Sequence, residues 1–133
     1  MIRCSLVLLT FCSLSTAQST WYVDVNGTPP GTGSQSDPYT SIQYAIDQPT
    51  TVDFDKLLVL PGTYFETIDY AGKDLRIESR DGAEVTVLDA QYMDTAVVTE
   101  GGTSSSAALL GFTVTHGENL KGDFGGAMRV VNA

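Results

Sequence analysis

From Pro49 onward the chain is a succession of runs of about five residues, rich in β-branched and apolar side chains, each closed by a turn built on Gly or Asp. Leu57-Leu58-Val59-Leu60 ends at Pro61-Gly62, and residues 64–68 form the next run. Asp74-Leu75-Arg76-Ile77-Glu78 alternates cleanly, with Leu75 and Ile77 on one face. After the Asp81-Gly82 turn come Val85-Thr86-Val87-Leu88 and then Ala96-Val97-Val98-Thr99. A small polar loop at 101–106 leads to a run at 109–115, closed by His116-Gly117, and Gly125-Gly126 introduces a last run at 127–131. Strands this short have no core of their own. They fold as an antiparallel sandwich or barrel, or as a solenoid of stacked coils. Recurrence favours the solenoid: Ile77 to Val98 is 21 residues and Val87 to Leu109 is 22, about one coil. The expectation is that each strand pairs in parallel with its equivalent one coil later. Leu, Ile, Val and Phe then face inward, and Arg76, Glu78, Thr113, Thr115 and Arg129 face outward.

The region before Pro49 is different. Trp21-Tyr22-Val23-Asp24-Val25 reads as a strand, and residues 26–38 as a Gly/Pro/Ser loop without period. The one helix signal follows. Thr40 is placed to cap it, Gln43 completes a capping box, and Ile42, Ala45 and Ile46 share a face before Pro49 ends the helix.

At the start, Arg3 precedes the apolar stretch Leu6-Val7-Leu8-Leu9-Thr10-Phe11-Cys12, and Ser15-Thr16-Ala17 supplies small residues. This is the pattern of a secretory signal peptide over 1–17, too short to span a bilayer, which needs about 20 residues. The expected mature chain has no transmembrane segment and is secreted or extracellular, at the cell surface or in the periplasm. Both cysteines, Cys4 and Cys12, lie in the signal, so no disulfide is expected in the mature part. Six cations against sixteen anions remain, a net charge of −10, which disfavours nucleic acid as a partner.

The order of the pieces is more specific than their spacing. Tyr22-Val23-Asp24, Gly31-Thr32-Gly33-Ser34, Pro38 through Ile46, Leu58-Val59-Leu60-Pro61-Gly62-Thr63-Tyr64-Phe65-Glu66 and Leu110 through Gly117 occur in sequence. In this the chain resembles the N-terminal region of bacterial secreted right-handed parallel β-helix proteins of the pectin-lyase-like superfamily. The resemblance implies an all-β solenoid. An N-terminal strand, loop and short capping helix (18–55) plug the first end, and residues 56–133 form the first coils, the front of a longer protein. It implies a cell-surface or polysaccharide-associated role, non-catalytic for this chain as it stands. Two alternatives stay open: a pectate-lyase-like enzyme, lyase or glycoside hydrolase, whose site lies downstream, and an adhesin or autotransporter passenger segment, suggested by Gly125-Gly126-Ala127.

No set of residues reads as an active site. Asp53 and Asp55 flank the first core run and are the candidate calcium ligands, as β-helix pectate lyases are calcium enzymes. A solvated turn is the plainer reading of the pair. Asp24, Asn26 and Asp37 around the Gly-rich loop read first as Asx turns. His116, the single histidine, reads as a strand-end turn residue, since glycoside hydrolysis needs two placed carboxyls. Arg76, Arg129, Lys73, Arg80 and Lys121 read as a solvated face. Trp21, Tyr22, Tyr39, Tyr64 and Tyr92 read as core aromatics before they read as a sugar platform. Asn26-Gly27-Thr28 matches a glycosylation sequon.

Overall fold

The computed structural model describes residues 17–100, 107–118 and 128–131. Residues 1–16 of the expected signal peptide, the loop at 101–106, Lys121, Gly125-Gly126 and Asn132-Ala133 lie outside these, as does the side chain of Arg129. Among the described residues there are ten strands and one short helix. The strands are β1 (Thr20–Val23), β2 (Lys56–Val59), β3 (Gly62–Tyr64), β4 (Ile68–Asp69), β5 (Arg76–Ser79), β6 (Thr86–Asp89), β7 (Val97–Glu100), β8 (Ala108–Leu110), β9 (Thr113–Thr115) and β10 (Met128–Val131). The helix is α1 (Ile42–Asp47). The described residues are thus mostly β, and every strand pairing among them is parallel.

The pairing follows a rotation. One sheet has the order β1-β2-β5-β8, a second β3-β6-β9 and a third β4-β7-β10, so each successive triple of strands gives one to each sheet. Register aligns inward side chains in columns. Trp21, Leu57, Ile77 and Leu109 are partners in turn across the first sheet, and Tyr64, Leu88 and Val114 across the second. Leu57, Ile77, Tyr64 and Leu88 are buried, as are Val23, Val59, Ile68 and Val97, in one cluster. Each such side chain contributes about 1.5–3 kcal/mol on leaving water. The neighbouring positions point out, where Lys56 and Arg76 both reach the Glu78 carboxylate at 3.2 Å. Lys56 first, then Arg76, holds that carboxyl below its usual range.

The expected recurrence was aligned wrongly. Ile77 pairs with Leu57 and Leu109, not with Val98, and Val87 pairs with Thr63 and Thr113, not with Leu109. Residues between partners therefore vary from sheet to sheet, because turn lengths differ while strand positions stay fixed by the core columns.

Two expected single strands are each divided by a corner. The run at 64–68 breaks into β3 and β4, since Phe65 is exposed and Glu66 turns toward the helix. The run at 109–115 breaks at Gly111, which has φ +74°. A Cβ there would lie 2.5 Å from the Ser79 hydroxyl, which would have to move to admit any residue but glycine.

The helix starts one residue later than the capping box requires. Ser41, not Thr40, is the N-cap, and its hydroxyl accepts from Tyr44 N–H at 3.1 Å. Gln43 does not reach back to the cap. Its amide instead pairs with both backbone groups of Asp69 on the edge strand β4, accepting from N–H at 2.7 Å and donating to C=O at 3.1 Å. A carboxylate for the helix start comes instead from the segment between β3 and β4. Glu66 accepts from Ser41 Oγ and Ile42 N–H at 2.6 Å and from Gln43 N–H at 3.3 Å. Burial pushes its carboxyl above the usual value, opposed by those three donors. At the other end Lys73 donates to the carbonyls of Ile46 and Gln48. Charges at the two helix ends thus match its dipole. Ile42, Ala45 and Ile46 are fully buried, on a helix that packs against β1, β2 and β4.

Candidate functional site

Two constellations stand out, one at the ends of two paired strands and one beside the N-terminal strand. At the first, β6 ends in Asp89 and β9 in Thr115, which are register partners. His116 therefore follows directly after the neighbouring strand. Its Nδ1 lies 2.9 Å from Asp89 Oδ1, which also accepts from Gln91 N–H at 2.9 Å. The Gln91 N–H first, then the His116 ring, holds the Asp89 carboxyl below its ordinary value. The Tyr92 ring packs on the imidazole with centroids 4.5 Å apart, and Tyr92 N–H donates to His116 C=O at 2.8 Å. Gln91, Tyr92 and His116 all have positive φ, near 53°, 59° and 53°. Three left-handed residues that are not glycine, joined at one corner, are a concentration of strain of the kind found at functional sites. Tyr92 is 61% exposed and Met93 56%. The arrangement offers an aromatic face beside a carboxylate-oriented imidazole. Such a group can hydrogen-bond hydroxyls and pass a proton to or from a bound group.

The sequence reading placed His116 correctly in a turn at a strand end but found no carboxylate for it. Asp89 is 27 positions away, and matching Val87 to Leu109 displaces it from His116. With the true register, Thr115-His116-Gly117 falls alongside Asp89-Ala90-Gln91, which was the signal available.

The second constellation contains the candidate calcium ligands. Asp55 is 2% exposed, and its carboxylate accepts from Ser19 N–H and Trp21 Nε1 at 2.9 Å and from Val52 N–H at 3.1 Å. It ties β1 to the segment that leads into β2. Asp53 is exposed and accepts from Asp74 N–H at 3.0 Å. These contacts commit the two carboxylates to different N–H donors and do not bring them together. Among the described residues no three or more His, Cys, Asp or Glu side chains gather as a metal site. Between Asp53 and Asp55, Phe54 is held out at φ +71° and 57% exposed, with its N–H donated to Asp74 C=O at 2.7 Å. Gln18, Phe54, Asp74 and Arg76 line a cleft of about 270 Å³ there. Asp74 was read only as the start of a strand, and Gln18 and Phe54 were not singled out. An aromatic between two acids is the signal in the sequence.

The remaining sequence candidates separate. Asn26 N–H donates to Asp24 Oδ1 at 2.9 Å, an Asx turn, and Asp37 closes the Gly-rich loop through its C=O, accepting from Thr32 and Gly33 N–H. Tyr39 and Tyr64 are core, and Trp21 packs on Tyr39 with centroids 6.2 Å apart, so of the five aromatics Tyr92 is the one held well out in solvent. Arg80 pairs with Asp81 at 2.8 Å on the surface, and Lys73 serves the helix. No helix among the described residues is long and apolar enough to cross a membrane.

No protein-family model, no curated protein and no solved structure matches this chain.

Proposed function

We propose that the chain is the capped front of a secreted right-handed parallel β-helix, with a non-catalytic role on polysaccharide or at the cell surface. The supporting observation is the rotation of strands among three parallel sheets over one shared core. Parallel strands joined without intervening helices bury their inner faces by stacking coil on coil. The helix then serves as the plug over the first coil, as the resemblance to pectin-lyase-like proteins implies. Polysaccharide is supported by the exposed Tyr92 ring over the His116–Asp89 pair, since a sugar ring offers an apolar face to an aromatic and hydroxyls to polar neighbours. Co-sedimentation of the secreted chain with insoluble plant and microbial polysaccharides tests this reading. Saturable retention by at least one of them, weakened about tenfold by Tyr92→Ala, is the expected result. No retention by any polysaccharide contradicts it.

The enzyme alternative draws on the same corner. An imidazole oriented by a carboxylate is general acid–base hardware, although among the described residues no second carboxyl is bonded to it. Incubation with polygalacturonate and calcium separates the readings: unsaturated products lost in His116→Ala would favour lyase chemistry over a binding role.

A further inference from the structure

We propose that cleavage after Ala17 makes Gln18 the amino terminus of the mature chain, and that its new ammonium docks on the buried Asp74 carboxylate. This rests on the secretory reading above. The cleft lined by Gln18, Phe54, Asp74 and Arg76 supplies the geometry. Asp74 is 5% exposed, and its Oδ1 has no hydrogen-bond partner among the described residues. A buried carboxylate oxygen without a donor is costly, and a nearby cation is the direct remedy. Among the described residues no cation pairs with Asp74. Arg76 lines the cleft but its Nε reaches Glu78, and Lys56 also goes to Glu78. The other charged groups nearby are Asp53, which holds Asp74 N–H, and Asp55, which holds Ser19 N–H. Both add to the negative potential.

The anchoring of the chain start matches this role. From Ser19 onward the backbone is fixed: Ser19 N–H donates to Asp55, Ser19 C=O accepts from Lys56 N–H, and Trp21 Nε1 holds the other Asp55 oxygen. The scissile bond lies just ahead of the first anchored residue. Before cleavage the backbone nitrogen of Gln18, a residue lining the cleft, is an amide with one N–H. After cleavage it brings a charged group with three donors. Removal of the signal thereby completes a site that the precursor leaves unsatisfied.

A double-mutant cycle tests this. The full 133-residue chain and a chain released to begin at Gln18 are compared, each with Asp74 and with Asp74→Asn. The expected result is a higher urea midpoint for the Gln18-first chain when Asp74 is present, and loss of that difference in Asp74→Asn. A difference of the same size in both backgrounds, or none in either, overturns the proposal.

A second readout needs no variant. A free N-terminal Gln cyclises when its α-nitrogen bonds the side-chain carbonyl carbon, the carbon–nitrogen bond of the carboxamide breaks, and ammonia leaves. Only the unprotonated amine attacks, so a docked ammonium is protected. Mass loss of ammonia is expected to be at least fivefold slower in the native Gln18-first chain than in the same chain unfolded in urea. Equal rates overturn the docking. The intact mass of the secreted protein tests the secretory reading separately. A start at a residue other than Gln18 contradicts that processing, whereas the cycle judges the docking by itself.

Discussion

Gly111 carries two constraints at once, a left-handed φ and a contact with Ser79 that leaves no room for a Cβ. Gly111→Ala should therefore cost about 1–3 kcal/mol from backbone strain, with steric displacement added. A chemical-denaturation midpoint checks it, and Gly82→Ala is the comparison: its φ is +95° but nothing stands within 4 Å of the added carbon. Gly111→Ala should be the worse of the two. Tyr70 makes a pH prediction. Burial pushes its phenol, and that of Tyr64, well above the ordinary tyrosine value. The folded state then binds more protons than the unfolded state at high pH. Stability is full below about pH 10, the unfolded value, and falls as pH rises above it. Tyr70→Phe should flatten this alkaline loss. It should also cost about 1–3 kcal/mol at neutral pH, since Ala108 C=O loses the phenol donor 3.0 Å away. Denaturation midpoints at pH 7 and above pH 10 report both effects. At this scale the sequence was partly legible. Asp24 was readable as an Asx turn, and Asp69 and Asp89 make the same turn with the N–H two residues on. The left-handed residues after them, Ala71, Gln91 and Tyr92, were not readable, because their side chains have no preference for that conformation.

The helix shows how an element is held by what it packs on. Glu66, Asp69 and Lys73 lie on the stretch between β3 and β5 and grip the start, the side and the end of α1. A six-residue helix is too short to persist alone. Ile46→Ala should cost about 2–5 kcal/mol, as a fully buried side chain at the plug is truncated. Gln43→Ala should cost less, about 0.5–1.5 kcal/mol, because water replaces an exposed amide at the edge strand. Calorimetry on the two variants should keep that order, and a larger loss from Gln43 would mean that edge pairing outweighs burial. The apolar face Ile42, Ala45 and Ile46 was legible from spacing alone. The partner of Gln43 was not, since its contact with Asp69 is fixed by tertiary packing 26 residues away.

For the whole molecule, most strands were readable from short apolar runs and their turns, which fit antiparallel and parallel pairing alike; the parallel expectation rested on a recurrence whose register the structure does not keep. Turns of unequal length break any fixed repeat, so Ile77 finds Leu57 and Leu109 through side-chain columns and not through constant spacing. The same misalignment concealed the Asp89–His116 pair. The β-helix we propose stands on this register. Backbone nuclear Overhauser contacts in the folded chain test it most directly. The account predicts contacts from the Ile77 segment to both the Leu57 and Leu109 segments, and from Leu88 to both Tyr64 and Val114, all in the parallel pattern. Antiparallel contacts between strands adjacent in sequence, such as Lys56–Val59 with Gly62–Tyr64, would contradict it.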